Sequence, residues 1–141
     1  MVKRKTRRTG SNVYNRLIKQ GLTLTENGVV NSKTQEDPFL FFERHHDYDP
    51  KILKARMMFS FFKKRKRFNT QLGTSYAIKH DIYENLFGEH ITNGELIFAA
   101  LLTDLDIKRI DNGPNVYFNI ESTLRGFEWN IDLLFNKHRG V

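Results

Sequence analysis

Seven consecutive apolar residues, Leu96-Ile97-Phe98-Ala99-Ala100-Leu101-Leu102, stand directly behind Thr92-Asn93-Gly94-Glu95. The leading four match a capping box, in which a threonine hydroxyl accepts from the amide three residues on and a glutamate reaches back to the cap's own amide. A helix opening there has no polar face, because successive residues at ~100° each pass round the whole cylinder. Such a helix belongs in the centre of a core, with other elements packed on every side.

Its flanks carry their own signals. Gly73-Thr74-Ser75 supplies a turn and a cap, and Tyr76, Ile78, Ile82, Tyr83, Leu86 and Phe87 follow at helical spacing up to Gly88, a favourable residue just past a helix end. On the other side Ile107 and Arg109 read as strand and Asp111-Asn112-Gly113-Pro114 as a turn. Val116, Phe118 and Ile120 then alternate with Tyr117 and Asn119 as a half-buried strand does. The core unit, 73–120, therefore has the order of a winged helix-turn-helix: a helix-turn-helix-like pair followed by a β-hairpin.

With 141 residues and 39% hydrophobic content, the chain has material for one core and not for two full domains. The predicted organisation is a flexible basic arm over 1–10 and a single globular domain over 11–141, α+β and helix-rich. Twelve Phe, five Tyr and one Trp predict an aromatic interior. There is no cysteine, which excludes disulfides, thiolate zinc sites and cysteine nucleophiles. No run approaches the ~18 apolar residues of a membrane span, and no apolar segment follows the basic N-terminus, so neither a span nor a leader is expected. A cytoplasmic location follows from that reading.

Ahead of the core unit, Val13, Tyr14, Leu17 and Ile18 fit a short amphipathic helix capped by Ser11 or Asn12 and ended by Gly21. Leu22 and Leu24 alternate with threonines, Asn27-Gly28 is a turn dipeptide and Val29-Val30 are β-branched, which predicts a small hairpin. Pro38-Phe39-Leu40-Phe41-Phe42 fits either a buried strand or the first turn of a helix. Asp49-Pro50 marks a helix start, with Asp49 accepting the orphan amides, and the helix is expected to run toward Phe68. At its end Lys63-Lys64-Arg65-Lys66-Arg67 must leave the core, since five adjacent cations cannot all be buried. From Gly126, Phe127, Trp129, Ile131, Leu133 and Phe135 alternate as a strand, while Phe127, Ile131, Leu134 and Phe135 also fit a helix.

Charge is distributed unevenly. The net charge is +7, yet residues 1–20 hold seven cations and no acid, and residues 51–67 hold eight cations and no acid. From 69 to 141 six cations face ten acids. A polyanion would therefore meet the arm, through Arg4, Lys5, Arg7 and Arg8, and the basic helix end, through Lys63, Lys64, Arg65, Lys66 and Arg67. Lys108 and Arg109 at the foot of the hairpin are further candidates for backbone contacts. The second core helix is a poor groove reader, because 93–105 contain no Lys or Arg and carry Glu95 and Asp104. The composition thus predicts a small nucleic-acid-binding protein, taking DNA or RNA by its phosphates. The alternative is a non-enzymatic interaction module docking an acidic host or assembly partner.

Ser75-Tyr76-Ala77-Ile78-Lys79-His80, Ile91-Thr92-Asn93-Gly94-Glu95-Leu96-Ile97 and Ala99-Ala100-Leu101 resemble a pattern of small uncharacterised proteins of bacteria and their phages or mobile elements. Those proteins read S-Y-G-x-K-H, then Y-V-S-N-G-x-x-I, then A-A-L. The resemblance covers roughly 50 residues and departs at Ala77, where the pattern has glycine. It implies a small phage-type or mobile-element protein in a bacterial cell or an infected host, and it transfers no catalytic residue.

Chemistry-bearing clusters are few. His45, His46 and Asp47 are the local imidazole and carboxylate grouping that could serve a divalent ion or a nuclease-like reaction, but no second cluster supplies further ligands. His80 shares a helical stripe with Tyr76, Tyr83 and Phe87 and reads as a partly buried, hydrogen-bonded histidine. There is no phosphate-binding glycine loop, no G-x-S-x-G and no H-E-x-x-H. No enzymatic activity, catalytic residue, metal or cofactor is expected.

Overall fold

The Thr92 hydroxyl accepts from the Glu95 amide, and the Glu95 carboxylate accepts from the Thr92 amide at 3.0 Å, closing the capping box. Helix α6 (Asn93–Leu102) follows, and every one of its 10 residues is buried. The computed structural model describes residues 10–121, and the remaining elements are arranged round this helix. They comprise α1 (Gly10–Lys19), the antiparallel hairpin β1 (Leu22–Thr25) and β2 (Gly28–Asn31), α2 (Leu40–Arg44) and α3 (Pro50–Ser60). A continuous helical stretch comes next: α4 (Ser75–Ile78), a π-helical turn (Lys79–Glu84) and α5 (Asn85–Phe87). A second antiparallel hairpin, β3 (Ile107–Arg109) and β4 (Val116–Phe118), follows α6. The fold is α+β, with two small antiparallel sheets.

α3 packs most extensively on α6, and α1, β1, β2 and α4 cover its other sides. Leu17, Leu24, Val29, Ile52, Met58, Phe59, Tyr83 and Phe118 meet it in a single core. Each such side chain, fully buried, stabilises by about 1.5–3 kcal/mol relative to exposure. The rings contribute directed contacts as well: Phe41 and Phe42 both meet Phe98 edge to face, with centroids 5.6 and 5.7 Å away.

Several elements differ from the sequence reading. The helix opened by Pro50 ends at Ser60 and not near Phe68. The backbone beyond it bonds across to the strand that continues β4: Lys64 bridges Ile120, the Arg65 amide donates to Asn119 O and the Asn69 amide to Phe118 O. Tertiary pairing has overridden the local helical pattern there. The basic stretch is consequently a pinned irregular strand and not a helix end. Asp49 precedes Pro50 as expected but makes no cap bond to the helix, because its Oδ2 accepts from the His46 amide at 2.9 Å. The Phe39–Phe42 cluster resolves into the start of α2, with Phe41 buried. Gly10, assigned to the arm, already lies in α1. The arm proper and the tail from Gly126 fall outside the described residues.

The two hairpins meet at the start of α6. The Gly94 amide donates to Glu26 O at 3.0 Å, and the Val29 amide to Pro114 O at 3.0 Å. The Asn93 Nδ2 donates to Asn27 O and to Asn115 Oδ1, at 2.8 and 2.9 Å. The approach demands glycine, since a Cβ at Gly94 would run into the Thr25 carbonyl, a backbone atom unable to swing aside. Gly94→Ala should therefore lower unfolding free energy by about 3 kcal/mol. Gly21→Ala, at φ +75 with nothing within 4 Å, should lose only about 1 kcal/mol of left-handed backbone preference. Urea unfolding midpoints of the two variants check the difference.

Candidate functional site

The bonds that pin residues 63–69 also decide which cations are available. Arg65 is not one of them: its Nε donates to Arg67 O at 2.9 Å and its Nη2 to Phe68 O at 3.1 Å, so the guanidinium closes its own loop. The buried Asn69 braces the far end, donating to Ile120 O while its Oδ1 accepts from the Gln71 and Leu72 amides. Lys64 lies 3.8 Å from Asp104, both half exposed, a separation that contributes little in water. Lys63, Lys66 and Arg67 are exposed and, among the described residues, unpaired.

Beside this segment lies a cleft of about 460 Å³ lined by Lys64, Arg65, Lys66, Asp106 and Asn119. Its acidic member is neutralised locally, since Asp106 accepts from Arg16 at 3.1 Å and from Asn119 Nδ2 at 3.2 Å. Arg16 is itself used up there, donating also to Leu101 O and Leu105 O at 3.3 Å, a structural part that only the tertiary fold discloses. Lys108 is exposed on β3, the other neighbour of β4. Arg109 is spent on the hairpin turn, donating to Asn112 O and Gly113 O. Arg4, Lys5, Arg7 and Arg8 lie outside the described residues.

The His45, His46 and Asp47 grouping does not converge. His45 Nε2 sits 2.6 Å from Glu26 Oε2 and its Nδ1 3.6 Å from Glu95 Oε2, with the ring stacked on Phe41. His46 contacts Tyr48, and the Asp47 carbonyl accepts from Arg56. Among the described residues no group of three or more His, Asp or Glu is placed to hold a metal ion. His45 instead ties the end of α2 to the first hairpin tip and the capping box.

A second polar concentration, anchored on Glu84, was not legible in the sequence. Its Oε1 lies 2.8 Å from His80 Nδ1, and its Oε2 lies 2.9 Å from His90 Nδ1, 3.3 Å from the Ile91 amide and 3.4 Å from Lys79 Nζ. Residues three and four apart face each other on an α-helix. Lys79 and Glu84 are five apart, and the wider π turn with its i→i+5 repeat brings them together. Burial acts to raise the Glu84 carboxyl, but the Ile91 amide, Lys79 and His90 outweigh it and hold the group below the ordinary value of 4.5. Nearby, Glu89 accepts from Lys54 at 2.8 Å and from the Tyr83 hydroxyl at 2.7 Å, and these donors hold it too below 4.5. Burial, with Glu89 beside it, pushes the Tyr83 phenol upward.

No helix among the described residues is long and apolar enough to cross a membrane. Compared with protein-family models, curated proteins and solved structures, the chain matches none.

Both glutamates have depressed pKa values in the folded state, so below about 4.5 the unfolded chain takes up protons that the native fold refuses. Their contribution is present above that pH and lost as pH falls through the lower folded values. Urea midpoints measured from pH 6 down to pH 3 should decline, and Glu89→Gln should flatten the decline.

Proposed function

We propose that this chain is a small basic nucleic-acid-binding protein that contacts the phosphate backbone and carries out no chemistry of its own. Lys63, Lys64, Lys66 and Arg67 make the central contacts, with Lys108 on β3 and Arg4, Lys5, Arg7 and Arg8 on the arm. The observation that carries this reading is the exposure of Lys63, Lys64, Lys66 and Arg67 on a backbone already fixed by hydrogen bonds to Phe118, Asn119 and Ile120. A polyanion meeting such a segment loses less freedom than one that must first order a loose loop.

The helix, turn, helix and hairpin of 73–120 serve as a winged-helix-like scaffold in this reading. Burial of α6 along its whole length supports giving it no part in base readout. Sequence selectivity is accordingly low, and affinity comes from counterion release. The resemblance to phage and mobile-element proteins is consistent with such a role in a bacterial cytoplasm.

Binding of the full chain to labelled duplex and single-stranded DNA and RNA, followed by anisotropy across a salt series, tests the proposal. Log affinity should fall linearly with log salt. A variant with Lys63, Lys64, Lys66 and Arg67 changed to Ser, and Arg65 kept because it holds the loop, should bind more weakly. Its duplex salt slope should be shallower by about 0.9 for each phosphate that is no longer neutralised. No binding at low salt, or an unchanged variant, would overturn the reading. A protein partner that co-purifies through nuclease and high salt would point instead to docking of an acidic protein.

A further inference from the structure

A concave site of about 550 Å³ opens where the start of α6 meets both hairpin tips and the helix carrying Lys79. Its volume is ordinary for a small-molecule pocket, roughly 300–1,000 Å³. Lys79, His90 and Tyr76 line one part of it, and Glu26, Asn93 and Asn115 another.

Lys79 is the unusual member. Its side chain is 7% exposed, yet among the described residues its Nζ has only long neighbours, Glu84 Oε2 and His80 Nε2 both at 3.4 Å, with the Tyr76 ring centroid at 5.1 Å. A charge-assisted bond is ordinarily about 2.7–2.9 Å, and an ammonium has three donors to place. Glu84 gives its short bonds to the histidines. A buried cation is thus left with donor capacity beside an open cavity. His90, fixed through Nδ1, keeps its Nε2 unengaged among the described residues.

The other residues offer the opposite chemistry. Glu26, on the hairpin tip, accepts from the Thr92 hydroxyl through Oε1 at 3.1 Å and meets His45 through Oε2 at 2.6 Å, and each carboxylate oxygen keeps a second lone pair for a ligand hydroxyl. Asn93 is 6% exposed with its amide nitrogen committed to Asn27, Pro114 and Asn115, while its Oδ1 has no donor among the described residues. An acceptor buried without a donor is costly, and this one is closed to solvent, so the amide shapes the pocket wall and does not bond a ligand. Tyr76, 52% exposed, adds a flat apolar surface.

We propose that this pocket binds a small phosphate monoester of a hydroxylated compound, the chemistry shared by sugar phosphates and nucleotides. The phosphate takes the Lys79 ammonium and His90, a hydroxyl donates to Glu26, and a ring lies against Tyr76. The site is separate from the basic segment: Asn115 precedes β4, whereas Asn119 and Ile120 follow it and hold residues 63–69.

The test is a titration of the ¹⁵N-labelled full chain with ribose 5-phosphate and with adenosine 5′-monophosphate. Ribose, inorganic phosphate and acetate serve as comparison ligands. Saturable shifts are expected at the amides of Thr92, Asn93 and Asn115 with the two monoesters. Lys79→Met and the exposed-site variant His90→Gln should each weaken binding by roughly tenfold or more. The variant with Lys63, Lys64, Lys66 and Arg67 changed to Ser should bind as the parent does. Absence of saturable shifts at millimolar ligand, shifts confined to 63–67, or unchanged affinity in His90→Gln would overturn the proposal. Equal binding of ribose would remove the anion from it, and equal binding of acetate would remove the phosphate. None of these outcomes bears on the salt-dependent binding of nucleic acid, which reads the other end of β4.

Discussion

The first turn of α6 is the contact on which the rest of the structure depends. An apolar helix buried on all sides has no water to satisfy its opening amides, so the protein must supply every partner. Thr92 and Glu95 supply two through the capping box, and Glu26 O takes the Gly94 amide. That last bond needs the hairpin tip to come against bare backbone, which glycine permits. Once the tip is there, Asn93 reaches Asn27 and Asn115 together, and the second hairpin is fixed by the same residue.

This arrangement also sorts charge. With the centre given to apolar side chains and the acids engaged round it, the cations of 60–70 have no place inward and are held on the outer side of β4. The strand bonds there fix their backbone while the lysine ends stay in water. Arg65 and Arg109 show the limit of reading function from residue type alone. Both belong to basic clusters, and both spend their guanidinium groups on nearby carbonyls. Arginine's rigid fork of donors suits it to this structural work as well as to phosphate.

What the sequence made legible was local. The capping box, the Gly21 and Gly88 ends, the hairpin at 22–31 and the alternation at 116–118 each follow from a rule spanning a few residues, and each appears where expected. Long-range competition was hidden. Nothing near Lys63 indicates that its carbonyl will take the Glu121 amide, 58 residues on, in place of a helical bond. The Glu84 site was hidden for a different reason, since α-helical spacing sets Lys79 and Glu84 on different sides and only a π turn joins them. His45 read as a loop histidine because its partners Glu26 and Glu95 lie far away in sequence.

The joining of both hairpin tips through Asn93 has a kinetic side. Its partners stand 66 residues before it and 22 after it, so neither tip gains its bond to Asn93 until a loop of that length has closed. Closure entropy grows only slowly with loop length but is unfavourable before any contact is made. The helices rest on local contacts, whereas the junction at Asn93 carries the closure cost of both separations. One amide nitrogen therefore couples the two hairpin tips, although they belong to separate sheets.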